Sequence, residues 1–151
     1  MSGRRTSPVV PLHEVPAADT SEYRPVVLVV DDESAIADTL TEILARSGYA
    51  AIAAYDGTDA LETALITPPE LLITDVVLPG VSGIELAITI KRIFPDCRIL
   101  LFSGQAATSD LLASAKSAGH QFTLLNKPIH PKDLLARVSA TLRPWSQHVA
   151  C

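Results

Sequence analysis

Four polar groups in this chain each follow a short apolar run. Asp31-Asp32 follows Val26-Val27-Leu28-Val29-Val30, and Asp75 follows Leu71-Leu72-Ile73-Thr74. Ser103-Gly104 follows Ile99-Leu100-Leu101-Phe102, and Lys127-Pro128 follows Phe122-Thr123-Leu124-Leu125-Asn126. Brought together, three carboxylates, a hydroxyl and one ammonium suit a divalent metal and a phosphoryl group. Magnesium prefers oxygen ligands, keeps several waters, and takes one or two carboxylates plus a phosphate oxygen. Asp32 and Asp75 can supply those two carboxylates, with Asp31 holding a coordinated water. Three neighbouring acids repel one another, and a divalent cation relieves that repulsion. A carboxylate at Asp75 can also act as a nucleophile toward phosphorus, giving an aspartyl phosphate. Ser103 offers a hydroxyl donor, and Gly104 leaves its backbone amide within reach of a phosphoryl oxygen. Lys127 can pair with that group or with Asp75, and the following Pro128, were their bond cis, would aim it back into the pocket.

Taken singly, each of these has an ordinary reading. Asp31-Asp32-Glu33-Ser34 fits the amino end of a helix, where acids are favoured by the dipole and by free amides. Asp75 alone fits a loop cap, and Lys127 alone an exposed surface lysine. The conjunction decides the matter, because all four groups fall at the carboxyl ends of strands. In an open parallel sheet those ends lie side by side, and ligands bind there.

The elements that must position them alternate from Pro25 onward. A first helix is expected from about Ser34 to Ser47, with Ile36, Leu40, Ile43 and Leu44 on one stripe and Gly48 as its stop. Ala50 to Tyr55 reads as a second strand, and Thr58 to Ile66 as a second helix with Leu61, Ala64 and Leu65 facing inward. Pro68-Pro69 breaks the chain before the third strand. Ser82 and Glu85 form a capping-box pattern at the start of a third helix that ends near Phe94-Pro95. The fourth strand covers Cys97 to Phe102, a fourth helix Ser109 to Ala118 with Gly119 as its stop, and the fifth strand Phe122 to Asn126. Pro131 suits the first turn of a fifth helix bearing Leu134, Leu135, Val138 and Leu142. Continuous apolar strands between helices require a parallel sheet covered on both faces. The expected architecture is a flavodoxin-like doubly wound α/β domain, a five-stranded parallel sheet of order 2-1-3-4-5 with five helices.

The domain is placed at residues 25–143, between a disordered tail at 1–24, interrupted by Pro8, Pro11 and Pro16, and a short tail at 144–151. At 151 residues the chain can bury a core without staples, and its 48% hydrophobic and 19% charged content are those of a globular protein. Net charge −5 argues against a basic nucleic-acid or membrane-binding surface. The two cysteines, Cys97 and Cys151, form no disulfide framework, and Cys97 reads as a small core residue. No signal-peptide run or membrane-length apolar stretch occurs, so a cytoplasmic location is expected. With only a short segment after Leu142 and no helix-turn-helix pattern in it, no output domain is expected.

On Asp31-Asp32, Asp75 with Leu78-Pro79-Gly80 after it, Ser103-Gly104 and Lys127-Pro128, the chain resembles the receiver domain of two-component response regulators. The resemblance spans roughly Pro25 to Leu142. It implies a receiver that is not an enzyme in the usual sense, and the short segment after Leu142 makes a stand-alone one the expectation. Asp75 would accept phosphate from a phosphohistidine on a sensor histidine kinase or histidine phosphotransfer protein, and a downstream protein target would read the result. It implies magnesium held by Asp32, Asp75 and the backbone carbonyl of Val77, with Asp31 acting through water. Ser103 and Lys127 would contact the phosphoryl oxygens. The family usually carries an aromatic switch residue three positions before the lysine, where this chain has Leu124. Phe122, five before it, shares a strand face with Leu124. Val77 has no side-chain group to hold a hydrolytic water, so slow self-dephosphorylation is expected. The main alternative is a receiver-like module that binds partners without phosphorylation.

Other classes fit less well. A haloacid-dehalogenase-type phosphatase needs a second acid two residues after the nucleophile, where Val77 stands. No Gly-x-x-x-x-Gly-Lys-Ser/Thr or Gly-x-Gly-x-x-Gly loop occurs. A flavodoxin-type cofactor site would want hydroxyls after strand one, and the histidines and cysteines lack zinc-ligand spacing.

Overall fold

The computed structural model describes residues 23–104, 112, 113, 115, 116, 119 and 122–142. Most of the tail assigned to residues 1–24, the greater part of the expected fourth helix, and the segment 144–151 lie outside the described residues. Strands β1 (Val26–Val30), β2 (Ala50–Ala54), β3 (Leu71–Asp75), β4 (Arg98–Ser103) and β5 (Thr123–Asn126) form one sheet of order β2-β1-β3-β4-β5, with every neighbouring pair parallel. The expected order is therefore observed. Helices α1 (Ser34–Arg46), α2 (Gly57–Ile66), α3 (Gly83–Ile93) and α4 (Pro131–Leu142) provide the layers, and Leu112, Ala113, Ala115 and Lys116 are helical between β4 and β5.

Strand alternation splits the core into two clusters. Leu28, Val30, Leu72, Ile99 and Leu101 point to one face, where Ala60 and Ala64 of α2, Ile84, Leu86, Ala87 and Ile90 of α3, and Ala115 cover them. Val27, Val29, Leu71, Ile73, Leu100, Phe102 and Leu125 point to the other, beneath Leu44 of α1 and Leu134 and Val138 of α4. Every residue of β3 is buried, as expected for a central parallel strand. Cys97 is in the first cluster, and burial pushes its thiol pKa up to about 11 despite the nearby Lys91 ammonium.

One face assignment is corrected. Leu65, expected inward, is 62% exposed, and α2 instead buries Gly57, Ala60 and Ala64. Those three lie at i, i+3 and i+7 on a single stripe, and Leu65 sits about 100° around the helix from Ala64. Elsewhere the punctuation matches. Gly48 closes α1 at φ 102°, a conformation that only glycine adopts without strain. Ser82 and Glu85 form the complete capping box of α3.

Candidate functional site

The residues with chemistry meet where the carboxyl ends of β1, β3, β4 and β5 line up. Asp31 is 1% exposed, and its backbone N–H donates to the carbonyl of Ala54 at the end of β2 (3.2 Å). Asp75 ends β3 and is 8% exposed. The register places it beside Phe102 of β4, whose carbonyl accepts from the Val76 N–H at 2.9 Å. Ser103 is buried at the end of β4, and its carbonyl accepts from the Lys127 N–H at 3.0 Å. The backbone pairing of neighbouring strands thus fixes the spacing of all three groups before any side chain is considered.

Lys127 crosses the pocket from the end of β5. Its Nζ donates to Asp31 Oδ2 at 2.8 Å and to Asp75 Oδ2 at 2.9 Å. Burial alone depresses the lysine pKa, but the hydrogen bonds and charges of Asp31 and Asp75 outweigh it, so the net shift is upward. The remaining carboxylate oxygens are held by backbone amides: Asp31 Oδ1 accepts from Glu33 N at 2.9 Å, and Asp75 Oδ1 from Val77 N at 3.1 Å. The Lys127-Pro128 bond is cis. At Gly104 an added Cβ would stand 3.5 Å from the Lys127 Cβ, an ordinary contact.

Carboxylate oxygens of Asp31, Asp32 and Asp75 lie within 4.8 Å of one another, with Asp32 exposed and the other two buried. Three carboxylates against one ammonium leave two negative charges in the pocket. An all-oxygen donor set with that residual charge fits a hard divalent cation such as magnesium. Val77, the other residue assigned to the metal, has an exposed side chain and sits on the loop directly after Asp75. Ser103, Lys127 and the three aspartates are thus gathered at one end of the sheet, as their positions after strands require. Phe122 and Leu124 both pack, half-buried, against the same core cluster.

Two features of this end were not assigned from the sequence. Tyr55, following β2, donates from its hydroxyl to Asp38 of α1 at 2.6 Å, and that hydrogen bond raises its pKa. Gly83, the first residue of α3, lies against the main chain of Asp75: an added Cβ would stand 1.8 Å from the Asp75 carbonyl oxygen. Its only sequence signal is a glycine placed just after a helix cap, where propensity favours almost anything else. A cavity of about 590 Å³ opens at the opposite end of the sheet, between Pro69, Glu70, Phe94, Cys97 and Arg98, away from the carboxylates. No helix among the described residues is long and apolar enough to cross a membrane.

With this geometry established, comparison with known proteins gives a consistent answer. The family model of the response regulator receiver domain matches residues 27–139. The DNA-binding response regulator MtrA of Mycobacterium tuberculosis is 34% identical over 125 residues, which are 83% of this chain and 53% of MtrA. Response regulator MprA of Mycobacterium ulcerans is 32% identical over 117 residues, 78% of this chain and 50% of that protein. The chain therefore spans about half the length of these relatives. Among solved structures, a CheY-like receiver domain protein from Methanospirillum hungatei superposes with a TM-score of 0.75 at 25% identity, covering 83% of this chain and 99% of that one. Chemotaxis protein CheY4 of Vibrio cholerae superposes with a TM-score of 0.71 at 26% identity, covering 80% and 100%. Family, fold and convergent acidic pocket agree: the chain belongs to the response regulator receiver domains of two-component systems, whose general property is phosphorylation on an aspartate.

Proposed function

We propose that Asp75 is the phosphoacceptor and takes its phosphoryl group from a phosphohistidine on a sensor histidine kinase or histidine phosphotransfer protein. The observation that carries this reading is the Lys127 ammonium bridging two buried carboxylates, Asp31 and Asp75, beside exposed Asp32. In the transfer, an Asp75 carboxylate oxygen forms a bond to phosphorus. The phosphorus–nitrogen bond of the donor breaks, and the imidazole leaves with the electron pair and takes up a proton. Asp75 Oδ1 is held by the Val77 N–H and Oδ2 by Lys127, so the carboxylate is oriented before the donor arrives. As charge moves onto the incoming group, Lys127 exchanges its contact with Asp75 for a phosphoryl oxygen, and the Ser103 hydroxyl donates to another. Asp32, Asp75 and the Val77 carbonyl would hold magnesium, with Asp31 acting through water, and the ion would supply charge neutralisation at the phosphoryl oxygens.

The phosphorylated form binds a downstream protein target through the surface around β5, with Phe122 or Leu124 repacking as Ser103 and Lys127 move. The named mycobacterial relative is a DNA-binding regulator about one and a half times as long as this chain. For this domain, with acidic residues crowding its functional end, a protein partner is the better match.

The test is exposure to acetyl phosphate with magnesium, read by intact mass. Wild type gains a single phosphoryl adduct, and Asp75→Asn or added chelator abolishes it. An adduct that survives in Asp75→Asn overturns the assignment. Absence of any adduct in wild type favours a module that binds partners without phosphorylation.

A further inference from the structure

We propose that Gly83 is a positioning residue for phosphoryl transfer to Asp75, a reading that rests on the function proposed above. The loop Val76–Ser82 leaves the phosphoacceptor and returns to it. Its closure is the Gly83 N–H donating to the Val76 carbonyl at 2.8 Å. At that crossing, a Cβ on residue 83 would stand 1.8 Å from the Asp75 carbonyl oxygen, 2.8 Å from its carbonyl carbon and 3.0 Å from the Val76 Cα. All three are main-chain atoms, so no rotamer change relieves the overlap. An ordinary contact is about 3.5 Å, so one side must move by more than 1 Å.

Neither side yields freely, because Asp75 ends a fully buried strand and Val76 is itself in the core. Ile84, Leu86, Ala87 and Ile90 of α3 are all in the core, and the capping box holds its first turn through Ser82 and Glu85. Displacement is therefore shared between the helix start and Asp75 with Val76, and through them reaches the Val77 N–H that orients Asp75 Oδ1. Helix propensity alone favours alanine over glycine at this position, so the glycine is explained by the close approach and not by the helix. A reacting group misplaced by about 1 Å can lose on the order of 10²-fold in rate.

The experiment measures phosphorylation of the full chain by acetyl phosphate at saturating donor and magnesium. The Val77 amide resonance is followed in the same samples, since it reports the bond to Asp75. Gly83→Ala is expected to lose about 10²-fold in rate and to shift that resonance. Ile90→Val, a deletion of one methylene in the same helix, is expected to lower stability yet keep the rate within about twofold and leave the resonance in place. A doubly uncapped variant, Ser82→Ala with Glu85→Ala, frees the helix end without adding an atom and is expected to show a smaller loss in the same direction. A folded Gly83→Ala protein that phosphorylates at the wild-type rate overturns the proposal, as does an equal loss in Ile90→Val. If Gly83→Ala does not fold, a wild-type rate in the uncapped variant overturns it. Failure of wild type itself to accept phosphate removes the functional reading and this one together, and is distinguished by needing no variant.

Discussion

At the residue scale, Lys127 is the group on which the resting pocket turns. Its ammonium pairs with Asp31 and Asp75 at once, and the raised pKa means that the folded state holds the proton more tightly than the unfolded chain. The resulting stability is fully present below the ordinary lysine value of 10.5 and is lost as pH rises through the higher folded-state value. Thermal melts should therefore show wild type and Lys127→Met separated by a constant gap from pH 7 to 9 and converging in the alkaline range above 10.5. In the same variant phosphorylation should slow by about 10²- to 10³-fold, since one preorganised donor to the developing charge is gone. A gap that widens with pH would contradict the sign of this coupling. Val77 bears on the reverse reaction. Its exposed isopropyl group holds no water in line with phosphorus, so the acyl phosphate should persist for minutes or longer. A half-life of seconds, followed by intact mass after donor removal, would show that another group activates the water.

At the element scale, helix ends and strand ends share the task of aiming these side chains. Strands β1, β3, β4 and β5 place the pocket residues at or just past their carboxyl ends, and glycines and capping side chains set where helices begin or end. Gly48 shows the point without touching the site: its φ is 102°, and an added Cβ meets nothing within 4 Å. Gly48→Ala should thus cost only the backbone term, about 1–2 kcal/mol in a denaturant titration, with phosphorylation unchanged. A loss of activity there would mean that the α1–β2 turn is coupled to the pocket. The stripe of α2 teaches a different lesson. Leu61, Ala64 and Leu65 satisfy hydrophobicity, but close packing beside α3 selects the small residues Gly57, Ala60 and Ala64 instead. Periodicity alone ranks leucine above alanine, so the choice between adjacent stripes was not legible before the helices were packed.

At the scale of the whole molecule, a doubly wound sheet has two unlike edges. β2 lies beside β1 on one side, and β5 closes the other, next to Ser103 and Lys127. The phosphoryl signal should therefore be lopsided. Hydrogen exchange with and without acetyl phosphate is expected to change at Thr123–Asn126 and the start of α4, and to stay constant along Ala50–Ala54. An equal change at both edges would indicate a general loosening and not a directed switch. Half-buried Leu124 belongs to that edge strand and Phe122 directly precedes it.

The sequence by itself determined the fold class, the strand order and the identity of the pocket residues. Those depend on local signals: continuous apolar runs, caps such as Ser82 with Glu85, and polar groups placed directly after strands. Tertiary structure alone decided which partners those groups take. Lys127 bridges Asp31 as well as Asp75, although the three residues lie far apart in the chain, and that double pairing arises from the juxtaposition of three parallel strand ends. The contact of Gly83 with the main chain of Asp75 has the same origin. Side-chain type and spacing carry no record of distances between elements, because packing sets those distances only after the elements have formed.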